Sequence, residues 1–475
     1  MFSVKYGLCN KYLNDLCENL TKQLGGFCVA IYEFLKKIVG EEQTQHIKNI
    51  FWKAPISDVH KEKLFYIMKG TFKSEAVNRR SKRKDLLTNY VSEILALQDF
   101  NNSFSIEYPQ KPQITLKNND PKLIAFYLPQ YYPDPHNTQW WGRGSTEWTN
   151  VSKAVPQYLG HYQPRFPGEL GFYDLRIMDN IHRQIELATF YGIYGFCFYY
   201  YWFDGERLLN LPFDNFVNDK SITFPFSICW VNESWTRQWG GASEAPLMIQ
   251  NSSVSSYKEF IKSCTTLFKQ PNYIRIDGKP ILTIYRPMDI PKPEEVILYW
   301  REYVKQKTGL EIYLIASLGN AEEEAKWKEW LNVGFDACSE FSPGPYLDCM
   351  KNITPEKDFV CKTFLGTVLD YRDFVENKRY MGRLQGKIFR ALSPMWDNTP
   401  RKKNKGLILD GATPKLYKKW LMDIINETKQ NKVLDDNIIF INAWNEWAEG
   451  AYLEPDLKWK YEYLEATAEA IRDCR

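Results

Sequence analysis

Ile438-Ile-Phe-Ile-Asn-Ala-Trp-Asn-Glu-Trp-Ala-Glu-Gly450 is a short apolar run that ends in two carboxylates, Glu446 and Glu449, with Trp444 and Trp447 alongside. A run of this length, rich in isoleucine, reads as a buried strand. The polar residues fall where the strand leaves its sheet. Glu446 and Glu449 are three residues apart, and in a helical turn such a pair shares one face, with about 5–6 Å between Cβ atoms. That is near the ~5–5.5 Å carboxyl separation of retaining glycosidases. Indoles beside paired acids suit a sugar. Glu446, nearer the strand, then serves as an ionised base or nucleophile, and Glu449, its pKa raised by the indoles and by Glu446, as a general acid. A solvated Glu-x-x-Glu turn is the plain alternative.

Working outward, seven more runs of the same kind precede this one: Leu123–Leu128, Gly195–Tyr200, Pro225–Trp230, Ile281–Tyr285, Ile312–Ala316, Ala337–Phe341 and Phe389–Met395. Helical patterns alternate with them near Met178–Tyr191, Leu208–Asn218, Val254–Leu267, Pro293–Lys307, Ala321–Leu331, Tyr371–Gly386, Pro414–Lys429 and Tyr461–Arg472. Eight strands, each followed by a helix, make the expected fold an α/β (β/α)8 barrel over 122–475. Residues 1–100 differ. Leu13, Leu16, Leu20 and Leu24 recur at helical spacing, and Arg79-Arg-Ser-Lys-Arg-Lys84 forms a basic run. They read as a small helical module, joined through a polar, proline-bearing linker at 101–121.

Barrel enzymes place their chemistry at the C-terminal strand ends. Those ends supply the candidate substrate-binding residues Tyr127, Tyr199, Trp202, Trp230, Asn232, Glu233, Trp235, Trp396, Asp397, Asn445 and Trp447. Several have bland readings of equal standing. Asn445 can be a loop-capping amide, Asp397 part of an Asx turn, and Glu233 a merely polar loop carboxylate or a rival acid. The insertion after the first strand, with Trp140, Trp141, Glu147 and Trp148, reads as a cleft wall.

Composition excludes other classes. Aromatic residues reach 16%, with 16 Trp and 30 Tyr, while the net charge is only +3, so no nucleic-acid partner is expected. The ten cysteines include no Cys-x-x-Cys pair, and Cys197, Cys229 and Cys338 sit in apolar runs as small hydrophobes. The histidines His136, His161 and His182 fit no metal spacing, so neither metal nor cofactor is expected. No Asp-x-Asp or glycine-rich phosphate cradle is present. The start lacks a secretory signal. The expectation is a cytoplasmic protein acting on an oligosaccharide or polysaccharide, its basic N-terminal region available to touch the inner membrane face or another protein.

The runs Ile124-Ala-Phe-Tyr-Leu-Pro-Gln130, Thr146-Glu-Trp-Thr-Asn150, His161-Tyr-Gln-Pro164, Gly195-Phe-Cys-Phe-Tyr-Tyr-Tyr-Trp202, Trp396-Asp-Asn-Thr-Pro-Arg401 and Asn442-Ala-Trp-Asn-Glu-Trp-Ala-Glu-Gly450 resemble the WbsX-type, glycoside hydrolase family 99-like proteins linked to bacterial surface polysaccharide loci. The resemblance spans about residues 121–470. Through the last run it implies kinship with family 99 endo-α-mannosidases, which are (β/α)8 barrels. In them the carboxylate matching Glu446 assists the sugar 2-hydroxyl, and the one matching Glu449 is the acid/base. The implied route is a 1,2-anhydro sugar opened by water with retention, without metal or nucleotide. The WbsX association implies the alternative of a glycosyltransferase in O-antigen or capsule biosynthesis.

Overall fold

The computed structural model describes Thr88, Val91, Ser92 and residues 114–236, 246–360, 363–382 and 386–475. The helical module read over 1–100 and most of the linker lie outside the described residues. Residues from 114 onward belong to the second of two units, Glu93–Arg475. The last stretch of the expected linker packs down: Ile114 is buried and its N–H donates to the Phe190 carbonyl at 3.3 Å.

Eight strands form the frame: β1 (Lys122–Tyr127), β2 (Gly195–Phe203), β3 (Phe226–Trp230), β4 (Lys279–Ile284), β5 (Tyr313–Leu318), β6 (Ala337–Glu340), β7 (Ile388–Leu392) and β8 (Ile438–Ile441). Each pairs in parallel with the next in sequence, and β8 pairs with β1, which closes the sheet into a barrel. Helices follow the strands and cover the outside, among them Met178–Phe190, Val254–Phe268, Pro293–Thr308, Pro414–Gln430 and Glu462–Asp473. The fold is a (β/α)8 barrel. Every strand expected from the sequence is present, because runs buried on both faces stand out as continuous apolar segments.

The extents differ where turn chemistry intervenes. β2 runs on to Phe203 because Asp204 and Gly205, at φ 49° and 99°, turn it into a hairpin with Glu206–Leu208. An Asp-Gly pair is a strong signal for such a turn. The helix expected over Tyr371–Gly386 stops at Glu376, where Asn377 caps it and Lys378 turns left-handed at φ 50°. The one expected over Ala321–Leu331 breaks at Lys326 into Ala321–Ala325 and Trp327–Asn332. The last expected strand segment before Trp396 ends early, and Trp396–Asp397 joins a separate small sheet with Leu407–Asp410 and Thr367–Asp370.

Strand parity sorts the aromatic residues into two populations, since successive side chains point to opposite faces. Phe126 points inward and stacks on Tyr199 and Phe440, both with ring centroids 5.5 Å away. Its neighbour Tyr127 points outward to Gln184 on helix Met178–Phe190, its hydroxyl donating at 2.7 Å. Register partners share a face, so Tyr199 pairs beside Cys229 and Tyr200 beside Trp230. Trp230 is thereby outward and stacks on Phe260 at 3.7 Å. The inward set, Phe126, Tyr199, Tyr285, Phe341 and Phe440, fills the barrel beneath its C-terminal mouth.

Candidate active site

The chain leaves β8 through a two-residue strand, Asn445–Glu446, which pairs with Ala451–Tyr452. Between them Trp447–Glu449 forms one 3-10 turn. In a 3-10 turn positions i and i+3 eclipse, so Glu446, which caps the turn, and Glu449, which ends it, share one side. Gly450 closes the turn at φ 57°, and a Cβ there would stand 3.0 Å from the Cβ and backbone N of Asp397. Both the left-handed backbone and the close approach require glycine. Gly450→Ala is expected to destabilise the fold by at least ~1–2 kcal/mol, read as a lower melting temperature; an unchanged melting temperature would show that the turn re-forms without cost.

Three supports fix this turn. The Asn445 amide bridges β1, accepting from Leu128 N at 2.7 Å and donating to Leu128 O at 3.0 Å. The Tyr131 hydroxyl donates to the Asn445 carbonyl and accepts from Trp447 N at 3.2 Å. Beneath them Trp447 Nε1 donates to the buried Glu454 at 2.6 Å, and Glu454 also accepts from Gln184 at 2.6 Å and Tyr173 at 2.9 Å.

Burial raises the Glu454 carboxyl to about 7 against those donors. The folded chain then binds more protons than the unfolded chain between the ordinary value of 4.5 and about 7. Stability from this group is therefore greatest below about 4.5 and falls as pH rises through 7. Glu454→Gln is expected to flatten that fall. Equal slopes of melting temperature against pH in variant and wild type would remove Glu454 as its source.

Glu446 and Glu449 meet a single guanidinium. Arg401 donates from Nη2 to Glu446 at 2.8 Å, from Nη1 to Glu449 at 2.7 Å and from Nε to Glu147 at 2.7 Å. Arg401 lies on the short helix Thr399–Lys402, and Glu147 starts helix Glu147–Ser152 of the insertion after β1. Burial pushes both Glu446 and Glu449 above the usual carboxylate range; Arg401 opposes this, while Glu147 adds to it for both and Glu449 for Glu446. Lys402 joins Arg401 in opposing the rise at Glu449, and carboxyls held above the usual range are suited to proton transfer near neutral pH.

These groups open onto a cavity of about 690 Å³ at the C-terminal mouth, lined also by Tyr199, Tyr201, Glu233, Trp235, Tyr285 and Phe341. That volume suits a small oligosaccharide or a few sugar residues. Burial raises Glu233 to about 7, against the opposing charge of Arg286.

Trp141 and Glu147 of the expected cleft wall line the cavity, and of the catalytic and substrate-binding candidates Glu446, Glu449, Tyr199, Glu233 and Trp235 do so. The other eight do not. Tyr127, Trp202 and Trp230 point to the outer layer by strand parity; Trp230 Nε1 donates to the Trp202 carbonyl at 3.2 Å. The Asn232 amide is consumed by both backbone polar groups of Arg286, at 2.8 Å each. Asn445 and Trp447 support the turn from below. Trp396 is buried in the small sheet. Asp397 is wholly buried, bonded to His161 at 2.7 Å and to Thr399 Oγ1 at 2.6 Å. Burial would raise its carboxyl, but His161, Arg165 and Thr399 hold it below the usual carboxylate range. It serves the site indirectly by accepting from Thr399 N at 3.0 Å, at the start of the helix that carries Arg401. Arg401 and Tyr201 had no role assigned from the sequence, and Glu147 only a place in the cleft wall. All three stand inside the motif runs, which is the signal they left.

Among the described residues no group of three or more His, Cys, Asp or Glu side chains could hold a metal ion. The described cysteines are free thiols, with Cys197, Cys229, Cys264 and Cys338 buried. No helix among the described residues is long and apolar enough to cross a membrane.

Paired acids at the mouth of a (β/α)8 barrel, faced by aromatic rings, are an arrangement that carbohydrate-active barrels use. The chain belongs to the family described as glycosyltransferase WbsX, which matches residues 123–467. It is 40% identical over 349 residues to the uncharacterized protein WxcX of Xanthomonas campestris pv. campestris strain ATCC 33913, and 39% identical over 349 residues to that of strain B100. Each match covers 74% of this chain and 49% of the relative, so the chain spans about half the length of the curated relatives it matches. Among solved structures it is similar to a GH99 endo-alpha-mannosidase from Bacteroides thetaiotaomicron in complex with bis-tris-propane. That match has a TM-score of 0.46 and 16% identity, covering 76% of this chain and 98% of that one. A glycoside hydrolase-like protein matches with a TM-score of 0.47 and 14% identity, covering 78% of this chain and 98% of that one.

Proposed function

We propose that the chain cleaves a glycosidic bond with retention, as a hydrolase or transglycosylase of endo-α-mannosidase type, acting on an oligosaccharide or polysaccharide. One observation carries this reading: Glu446 and Glu449 lie on one side of a single turn, both held by Arg401, at the floor of an aromatic-lined cavity. Glu449 protonates the leaving oxygen. Glu446, on the same turn and not across the barrel, takes the proton of the sugar 2-hydroxyl, which attacks C1 and expels the leaving group. Water then opens the 1,2-anhydro sugar with overall retention. Tyr201 and Trp235, 4.9 Å apart in an edge-to-face pair, offer apolar surface to the sugar's C–H face.

The test is incubation with α-mannan oligosaccharides while the anomer of the first product is followed by NMR; an inverted product defeats the reading. A substrate lacking the 2-hydroxyl is expected to bind and hardly react. A 2-fluoro glycoside is expected to leave Glu446 unmodified, and a mass increase on a peptide containing Glu446 would make that residue an ordinary nucleophile. Glycosyl transfer is the second reading, favoured by the family's description and by Lys153 and Lys403 lining the cavity, which suit an anionic leaving group. Tight, specific binding of a sugar nucleotide would favour it over hydrolysis.

A further inference from the structure

The cavity is divided by charge. Glu147, Glu233, Glu446 and Glu449 bring acid to it, and its aromatic side is Tyr201, Trp235, Tyr285 and Phe341. A further stretch of wall is cationic. It is made by two segments that pack together, helix Glu147–Ser152 with its cap Lys153, and Thr399–Lys402 with the turn Lys403–Lys405. Arg401-Lys-Lys-Asn-Lys405 places four cations in five residues. The run starts at the paired acids with Arg401 and reaches the cavity lining again at Lys403 and Asn404. Lys403 turns the chain with a positive φ of 52°. Lys153 and Lys403 both line the cavity and are exposed, and no carboxylate pairs with either among the described residues. Lys402, half-buried next to Arg401 in the chain, feels both Glu449 and Glu233.

The acids already outnumber Arg401 where the chemistry would occur, so an anionic group cannot sit over them. Lys153 and Lys403, exposed where Glu446 is buried, offer such a group opposite charge on the same cavity. We propose that the cavity takes an acidic oligosaccharide, with a carboxylate or phosphate held by Lys153 and Lys403 while a neutral neighbouring sugar lies over Glu446 and Glu449. This rests on the sugar-cleaving reading of the site and adds the substrate's charge. Exposed ion pairs are individually weak and screened by salt. Selectivity therefore comes from two cations acting on one group, and it depends on ionic strength.

The test uses the full chain carrying Glu449→Gln, so that bound glycan is not consumed. It is applied to immobilised neutral, uronate-bearing and phosphorylated glycans. Retention of the charged glycans is expected, falling about tenfold as the screening length shrinks from ~30 Å at 0.01 M salt to ~8 Å at 0.15 M. The arm that is retained tells a carboxylate from a phosphate. Adding Lys153→Gln and Lys403→Gln is expected to lower that retention at least about tenfold, whereas Lys403→Arg keeps it. Equal retention of neutral glycans, retention of none, or an unchanged pattern in the double variant overturns the inference. Charged glycans that are retained but left intact by the wild type would defeat the proposed reaction and leave this binding site standing.

Discussion

Glu449→Gln and Glu446→Gln are each expected to lower turnover at least ~100-fold with only modest loss of glycan binding, since positioned acid–base groups typically contribute ~10²–10⁴. Glutamine keeps the shape of each side chain and one acceptor for Arg401 but cannot deliver or take a proton. The two variants should differ in detail. Glu449→Gln removes the acid, so substrates with good leaving groups such as nitrophenyl glycosides are expected to be rescued in part. Glu446→Gln removes assistance at the 2-hydroxyl, and no change of leaving group restores it. The measurement is kcat for natural and activated glycosides side by side. Wild-type rates in both variants would move the chemistry to another carboxyl on the cavity, with Glu233 the first candidate because burial already raises it to about 7.

Arg401→Met is expected to have the second largest effect, on both stability and activity. It removes the cation that, among the described residues, bonds Glu147, Glu446 and Glu449 together. Breaking a buried ion pair from one side costs about 3–5 kcal/mol, because the partner charges are left uncompensated. Here the partners can escape by binding protons. Without the guanidinium, Glu446 and Glu449 move still further above the usual carboxylate range. The acid limb of the rate profile, set by loss of a proton from the base, then shifts to higher pH. The stability penalty shrinks as pH falls and the carboxyls fill. Arg401→Lys should rescue little, because a single ammonium cannot reproduce the planar fork that reaches three acceptors. Thermal melts and kcat/KM across pH read both effects together. A wild-type pH profile in Arg401→Met would show that the guanidinium only props the helix Thr399–Lys402 and does not set the charge of the pair.

The barrel was legible in the sequence because its signal is local. Each strand is a compact apolar run, buried on both faces, and each is followed by a helix with its own spacing and caps. The acid pair was legible for the same reason: Glu446 and Glu449 share one turn, and sequence distance fixes what a turn brings together. The breaks at Lys326 and at Lys378, the second a left-handed lysine, left weaker marks, since nothing in the helical pattern itself announces them.

What the sequence could not decide was which face each aromatic residue presents. In a strand buried on both sides, inward and outward positions are equally apolar, so alternation leaves no trace in composition. Tyr199 and Tyr200 are chemically identical neighbours. The register of β2 against β1 and β3 sends one to Phe126 in the barrel and the other to Phe213 and Phe260 in the helical layer. The same parity removes Tyr127, Trp202 and Trp230 from the cavity and admits Tyr201, Tyr285 and Phe341. The tertiary structure alone also assembles the charge balance. Glu147 lies 254 positions from Arg401, and Arg401 lies 45 from Glu446. Only closure of the barrel, with the insertion after β1 laid across the ends of β7 and β8, puts one guanidinium among three carboxyl groups.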